Sequence, residues 1–303
     1  MTTKQLSTPM KNIISCIVLG FVSLQLQAQL QPLREEINQI IAGKNATVGV
    51  AVMDLQRGDS LTINGHTHLP MQSVYKLHLA MAVLAQVDKG KLKLDQIIFV
   101  KKSDMKTDLY SPLRDKHPEG NLNVPLRDLL RYSVSESDNV ACDLLFGLVG
   151  GPSKVQQYLR TIGIREVEVA NIEAEIQKDW ETQFTNWTTP QAMLLLLQKI
   201  DQRQLFSKSS QDFLWDILTN SPTGQNRIRG LLPPGTVVAH KTGTSGSKEG
   251  TMGAVNDAGI VVLPNSKRFA IVVFVANSKE SMKTNEAIIA QISKAAWDYF
   301  GNK

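Results

Sequence analysis

The stretch "PMQSVYKLHLAMAVL" (residues 70–84) decides how this chain is read. It is an apolar, helix-like run with a serine and a lysine three residues apart near its head. In a helix, positions i and i+3 share a face. Ser73 and Lys76 therefore project together, with Ser73 at the helix start. A free serine is a weak nucleophile and needs an adjacent base. A lysine serves as that base when burial or neighbouring cations lower its pKa. The helix N-terminus adds backbone N–H groups that can receive an oxyanion. Alone, Ser-x-x-Lys also describes an N-cap serine followed by a surface lysine, so the remaining sequence has to choose.

Outward from this stretch, the chain divides by pattern. "PLREEINQIIAG" has helical spacing and stops at Gly43. "ATVGVAVMDL" and "SLTINGH" alternate at period two around "QRGD" and read as a hairpin. From Ser73 to about Asn220 the signals are nearly all helical, with Gly or Pro at most of the ends. The last third returns to strands in "TVVAHKTGTSG", "MGAVNDAGIVVLP" and "RFAIVVFVANS", and closes on the helix "TNEAIIAQISKAAWDYF". This pattern predicts an α/β (α+β type) fold. Both termini build an antiparallel sheet flanked by helices, and an all-α domain is inserted between them. The expected division is 29–72 together with 221–303 for the α/β domain and 73–220 for the all-α domain, with a ligand cleft between them.

Residues 1–28 read separately. Lys4 and Lys11 precede an apolar run and then Leu26-Gln27-Ala28, a signal-peptide layout with cleavage after Ala28. The run is too short for a confident membrane span, and Cys16 lies too early in it for a lipoprotein site. The expectation is export to the periplasm, with no stable membrane association after cleavage. The whole chain carries 33 Lys+Arg against 28 Asp+Glu, a net charge of +5. Losing the two leader lysines brings it to +3. There is no basic run with interleaved aromatics, which argues against nucleic acid as a partner. The mature chain keeps a single cysteine, Cys142, in an apolar helical stretch, where a buried inert thiol is expected.

Two further motifs change the reading of residues 70–84. "SVSESDNVACD" places Ser137-Asp138-Asn139 at a helix junction, and "VVAHKTGTSG" ends a strand on Lys241-Thr242-Gly243. Each has a plain alternative, a helix cap or a solvated turn. All three in this order are hard to ascribe to chance. With them the chain resembles the penicilloyl-serine transferases, which comprise the serine β-lactamases and the penicillin-binding proteins. The likeness runs from "ATVGVAVMD" to the last helix. "SDNVACD", "NWTTP" and "VVAHKTGTSG" are similar to the PER-type and VEB-type extended-spectrum branch of class A.

The resemblance implies roles. Class A enzymes carry a glutamate between the second and third motifs, usually as Glu-x-x-Leu-Asn. Glu166, Glu168, Glu173, Glu175 and Glu181 qualify by type. Glu173 is chosen because Ile176 and Gln177 follow at the right spacing, although the usual residues there are leucine and asparagine. Ser73 is the implied nucleophile, and Lys76, or Glu173 through a water, the acylation base. The N–H groups of Ser73 and Thr244 form the oxyanion hole. Ser137 relays a proton, and Asn139 holds the substrate's side-chain amide. Lys241, Thr242 and Gly243 with Arg227 bind the carboxylate, Arg229 being the alternative to Arg227. Tyr110, Ser245 and Gly246 shape the cleft, and Gln177 helps place the deacylating water.

The implied activity is β-lactam hydrolysis through an acyl-enzyme, on penicillins and extended-spectrum cephalosporins, by a monomer without cofactor. A penicillin-binding protein or a covalent β-lactam sensor shares the first three motifs. Trp180 and Trp187 bracket the Glu173 loop and are expected to anchor it. His66 and His68 lack the companions of a metal site. His78 is expected to pack or face solvent, and His240 to point away from the cleft.

Overall fold

A computed structural model describes residues 29–302. The leader and Cys16 lie outside them. The first helix, α1 (Gln31–Ile41), buries Leu33 and Ile37. Strands β1 (Thr47–Asp54) and β2 (Ser60–Ile63) form the expected hairpin, with Val50 opposite Ile63. The nucleophile motif opens α2 (Tyr75–Asp88), and the chain returns to the sheet only at β8 (Val238–Thr244). After β8 come β9 (Ser247–Lys248), β10 (Thr251–Val262), β11 (Arg268–Ser278) and the closing helix α10 (Met282–Gly301). The strand order is β2-β1-β11-β10-β8, every neighbour antiparallel, with β9 hydrogen-bonded to β10. The first and last strands are therefore partners, which places strands from both ends of the chain in one sheet.

The sheet is covered on both sides. One face packs Val48, Val50, Val52, Ile271 and Val273 against Leu33, Ile37, Ile288 and Ile292 of the terminal helices. The other packs Ala51, Ala258, Ile260, Val272 and Phe274 against the inserted helices. This two-sided burial explains why β10 and β11 read as near-continuous apolar runs rather than alternating ones.

The inserted segment holds α3 (Pro112–Lys116), α4 (Leu126–Val134), α5 (Asn139–Val149), α6 (Pro152–Thr161), α7 (Glu173–Ile176), α8 (Pro190–Asp201) and α9 (Lys208–Thr219). Its helices surround α2, in which every residue from Tyr75 to Leu84 is buried. A helix buried on all sides has no polar face; Tyr75, Lys76 and His78 are the ionisable exceptions. The segment is not wholly helical. β4 (Ile97–Val100) pairs with β5 (Leu122–Pro125), and the two-residue strands β6 (Val167–Glu168) and β7 (Trp187–Thr188) form a small second sheet with β3 (Leu69–Pro70), which precedes the segment. Among the described residues no helix is long and apolar enough to cross a membrane.

Candidate active site

Ser73 sits in a 3₁₀ turn, Gln72–Val74, that runs directly into α2. Gln72, just before it, has φ of +49°. That left-handed backbone costs a non-glycine residue about 1–3 kcal/mol and persists only where its surroundings impose it. Sheet and loop both press on this turn. A Cβ on Gly243 of β8 would stand 2.4 Å from the Met71 carbonyl and 3.2 Å from the Ser73 nitrogen. Only glycine permits this approach, which sets the end of β8 and Thr244 beside the Ser73 N–H.

Lys76 is fully buried, and its Nζ meets four oxygens. It donates to Ser73 Oγ at 2.9 Å, to the Ser137 carbonyl at 2.8 Å and to Asn139 Oδ1 at 2.5 Å. It also pairs with Glu173 Oε1 at 3.0 Å. An ammonium has three protons, so four acceptors compete for three donors, and of the four only the Glu173 carboxylate and the Ser73 hydroxyl can exchange a proton with the amine.

Ser137 has φ of +61°, held by the cap that follows it. Asp138 caps α5, accepting from the Ala141 N–H, and its other oxygen accepts from the Ser111 hydroxyl and the Leu113 N–H. Asn139 donates its backbone N–H to the Tyr110 carbonyl at 3.0 Å, tying the cleft mouth to the same junction. Lys241, fully buried on β8, donates to Ser137 Oγ at 3.0 Å. Burial holds its pKa well below the ordinary lysine value. The nearby Lys76 and Arg227 charges act the same way, while Asp257 and Glu173 oppose them.

Arg227 donates to the Gly243 and Asn256 carbonyls at 3.1 and 2.9 Å and to Thr244 Oγ1 at 2.7 Å, with Glu286 at 3.3 Å behind it. Arg229 instead spends its guanidinium on the Thr219, Ser221 and Val238 carbonyls. Of the two, Arg227 is the one bonded to the end of β8. Thr242 Oγ1 lies 2.9 Å from Thr223 Oγ1.

Glu173 opens the one-turn helix α7 and is 4% exposed. Of the five glutamates in this region, it is the one within ion-pair distance of Lys76. Two polar residues that sequence reading passed over hold its loop. Asp143, from α5, accepts the Glu173 N–H on one oxygen at 2.8 Å and the Ala174 N–H on the other at 3.0 Å. Burial pushes the Asp143 carboxyl up to about 6, and the two N–H bonds oppose that rise. Asn186 Oδ1 accepts from the Ala170 and Asn171 N–H groups at 2.8 and 2.9 Å, and its amide donates to the Asn171 carbonyl. Its own carbonyl accepts the Met71 N–H at 2.9 Å, which locks the loop to the nucleophile turn.

The family model described as the beta-lactamase enzyme family matches residues 32–300. The chain belongs to that family. It is 46% identical over 283 residues to the extended-spectrum beta-lactamase PER-1 of Pseudomonas aeruginosa, covering 93% of this chain and 92% of that protein. It is 41% identical to beta-lactamase VEB-1 of the same organism, over 96% of this chain and 98% of that one. The crystal structure of a class A beta-lactamase from Bacteroides cellulosilyticus superposes with a TM-score of 0.87 at 39% identity, covering 91% and 99% of the two chains. The chain is accordingly a class A serine β-lactamase, with the antiparallel sheet and helices of that fold.

The remaining sequence candidates occupy the rim and the interior of this β-lactamase. A cavity of about 390 Å³ lies between the Glu173 loop and the ends of β8 and β9, lined by Gln72, Gln177, Trp180, Gln183, Ser245 and Lys248, with Thr244 and Gly246 at its β8 edge. Gln177 is exposed there, and its side chain makes no hydrogen bond to the described residues. Tyr110 is 59% exposed. Trp180 meets Phe184 edge-on, and Trp187 stacks on His68 at 3.6 Å. The loop is therefore held chiefly by Asp143 and Asn186, with the tryptophans secondary.

His66 faces Glu166 at 3.3 Å on the surface. His240 is buried on the face of β8 opposite Lys241, 2.9 Å from Asp257. His78 is fully buried, and burial pushes it down to about 4 against the opposing effect of a hydrogen bond to the Val74 backbone. Cys142 is buried with its thiol pKa raised, 3.7 Å from the Tyr75 hydroxyl. Asp143, Asn186 and Asn256 were missed because each acts on backbone groups far away in sequence. The only sequence hint was that the first two lie in the quoted "SDNVACD" and "NWTTP" runs.

Proposed function

We propose that this enzyme opens β-lactam rings by the following assignment of residues, and that its substrates include penicillins and extended-spectrum cephalosporins. The observation that carries the reading is the unbroken series Ser73 Oγ, Lys76 Nζ, Glu173 Oε1, with steps of 2.9 and 3.0 Å. Glu173 takes a proton from Lys76. The neutral amine then takes the Ser73 proton as Oγ attacks the lactam carbonyl. The N–H groups of Ser73 and Thr244 hold the developing oxyanion, each donor being worth about 3–4 kcal/mol. The departing ring nitrogen takes the Ser137 proton, and Lys76 resupplies it. Lys241 donates to that hydroxyl at 3.0 Å and, with Thr242, Gly243 and Arg227, receives the substrate carboxylate.

In the acyl-enzyme, Glu173 returns its proton to Lys76 and is again a carboxylate. It then takes a proton from the attacking water, with Gln177 bordering that space. The ester opens, Ser73 regains its proton from Lys76, and Glu173 restores Lys76. One water is consumed and every residue is reset.

The cavity of about 390 Å³ beside the Glu173 loop supports the extended-spectrum reading, since it offers room for a bulky acyl side chain between Gln177 and Ser245. The relative PER-1 is named for that activity. We assign the functional domains as 29–72 with 221–303 and 73–220, the cleft lying between them. The mature enzyme is a periplasmic monomer released from its leader after Ala28. A chromogenic cephalosporin tests the reading. Sustained turnover by the mature chain, lost in Ser73→Ala together with the 1:1 adduct seen by mass spectrometry, is expected. A single stoichiometric burst would instead identify a penicillin-binding trap. N-terminal sequencing of the exported protein should begin at Gln29.

A further inference from the structure

The strained turn before Ser73 needs something to impose it, and β10 supplies a candidate that none of the three motifs contains. Asn256 is fully buried at the register position opposite Gly243. Its Nδ2 donates to the Pro70 carbonyl at 2.7 Å and to the Met71 carbonyl at 3.2 Å. Two carbonyls at one end fix the amide's orientation, because an oxygen there would face two oxygens. Asn256 Oδ1 is left buried without a partner. The fold tolerates that orphan acceptor while both donors are used. The backbone carbonyl of Asn256 accepts from Arg227 Nη1 at 2.9 Å.

We propose that Asn256 is the positioning residue of the nucleophile: it clamps the Pro70 and Met71 carbonyls to the sheet, and so enforces the left-handed Gln72 that aims the Ser73 N–H and Oγ. Residues 70–71 are then gripped from two sides. Asn186 takes the Met71 N–H and Asn256 takes the carbonyls. The Gln72 side chain adds a third tie, donating to Gln183 Oε1 at 2.9 Å. The same β10 residue steadies Arg227 through its main chain, so the carboxylate wall and the nucleophile share one anchor. Removing the amide frees Met71 O, which already crowds Gly243, and lets Gln72 relax to an ordinary backbone. Ser73 would then rotate out of register with Thr244.

The inference rests on Ser73 being the nucleophile, and the test keeps the two apart. Asn256→Ala and Asn256→Asp are compared with the parent on benzylpenicillin by rapid quench. The acylation rate constant is expected to fall by about a hundredfold, as for a displaced oxyanion donor. The pre-acylation dissociation constant should stay within threefold. Affinity for phenylboronic acid, which binds as a tetrahedral adduct, should fall by a factor similar to the acylation loss. The decisive variant adds Gln72→Gly to Asn256→Ala. Glycine adopts positive φ without strain, so the double variant should regain at least tenfold in acylation over Asn256→Ala, and should fold even where the single variant does not. A purely structural asparagine predicts no such recovery. Folded Asn256 variants that acylate within threefold of the parent, or a double variant with no recovery, overturn the proposal. A parent that forms no Ser73 adduct at all defeats the nucleophile assignment instead.

Discussion

The two halves of the catalytic apparatus are held in place by different forces. Ser73 and Lys76 ride on a helix whose residues from Tyr75 to Leu84 are all buried, so apolar packing fixes them. Glu173 rides on a single helical turn fastened by the amide and carboxylate of Asn186 and Asp143. A packed helix moves only when the core does. A loop tied by a few polar bonds can shift while the rest of the fold stays intact. The placing of Ser73 is thus protected by global stability, whereas the proton transfers that use Glu173 depend on local contacts.

Predictions that break or sharpen this contrast run from large to small. Glu173→Gln should slow acylation, because Lys76 loses its proton acceptor, yet leave Ser73 acylatable, and should slow deacylation by about 10²–10⁴-fold, so that the covalent adduct persists in mass spectrometry. Normal turnover would show that another base serves the water. Leu79→Ala, in the fully buried part of α2, should lower unfolding stability by about 2–5 kcal/mol while the folded fraction keeps its kcat. Denaturant melts alongside active-site titration would check this.

Asp143→Ala should do the reverse, slowing deacylation about ten- to hundredfold and, through the same Glu173 carboxylate, acylation to a lesser extent. Its pH dependence has a definite sign. The carboxyl sits at about 6, above its ordinary value, because of burial. Ionisation is therefore disfavoured in the fold, and the group's contribution to stability declines as pH rises from about 4 through about 6. The grip on the Glu173 and Ala174 N–H groups needs the ionised form. Lowering pH through about 6 should accordingly weaken deacylation without unfolding the protein, and Asp143→Asn should remove that acid limb from single-turnover profiles.

Lys241, held below the ordinary lysine range by burial, should lose its proton at a lower pH than a surface lysine. KM for carboxylate-bearing substrates should then rise on the alkaline side before kcat falls. A KM that is flat up to the ordinary lysine pKa would contradict this. Gln177→Ala, at an exposed side chain with no protein hydrogen bond, should change deacylation by less than about threefold. A larger loss would give Gln177 a role in placing the water.

Much of this was legible in the sequence where a short spacing maps onto one face of one element. Ser73 and Lys76 share a helix turn, Ser137 and Asn139 flank a cap, and Lys241 to Gly243 lie along a strand, so the motif carries its own geometry. The large sheet was legible because β10 and β11 are long apolar runs ended by turns. The β3, β6 and β7 strands were not, since two residues cannot show a period. The clamps were hidden for a related reason. Asp143 reaches 30 residues to the Glu173 N–H, and Asn256 reaches 186 residues to the Pro70 carbonyl. Both bind main-chain groups that every residue possesses. Such contacts leave no side-chain pattern at the receiving end. The positive φ of Gln72 and Ser137 is likewise invisible, because neither residue type announces it.

The pairing of β1 with β11, Asp54 opposite Phe269, has a consequence for how the molecule is made. A polypeptide delivered amino end first holds its opening hairpin with one edge bare until almost the last residue arrives. Closing so distant a pair is slow, and a bare edge invites wrong partners. Completion of the sheet therefore waits for the finished chain. A nascent chain stalled or clipped before residue 268 would lack the strand between β1 and β10, so the sheet could not close between them.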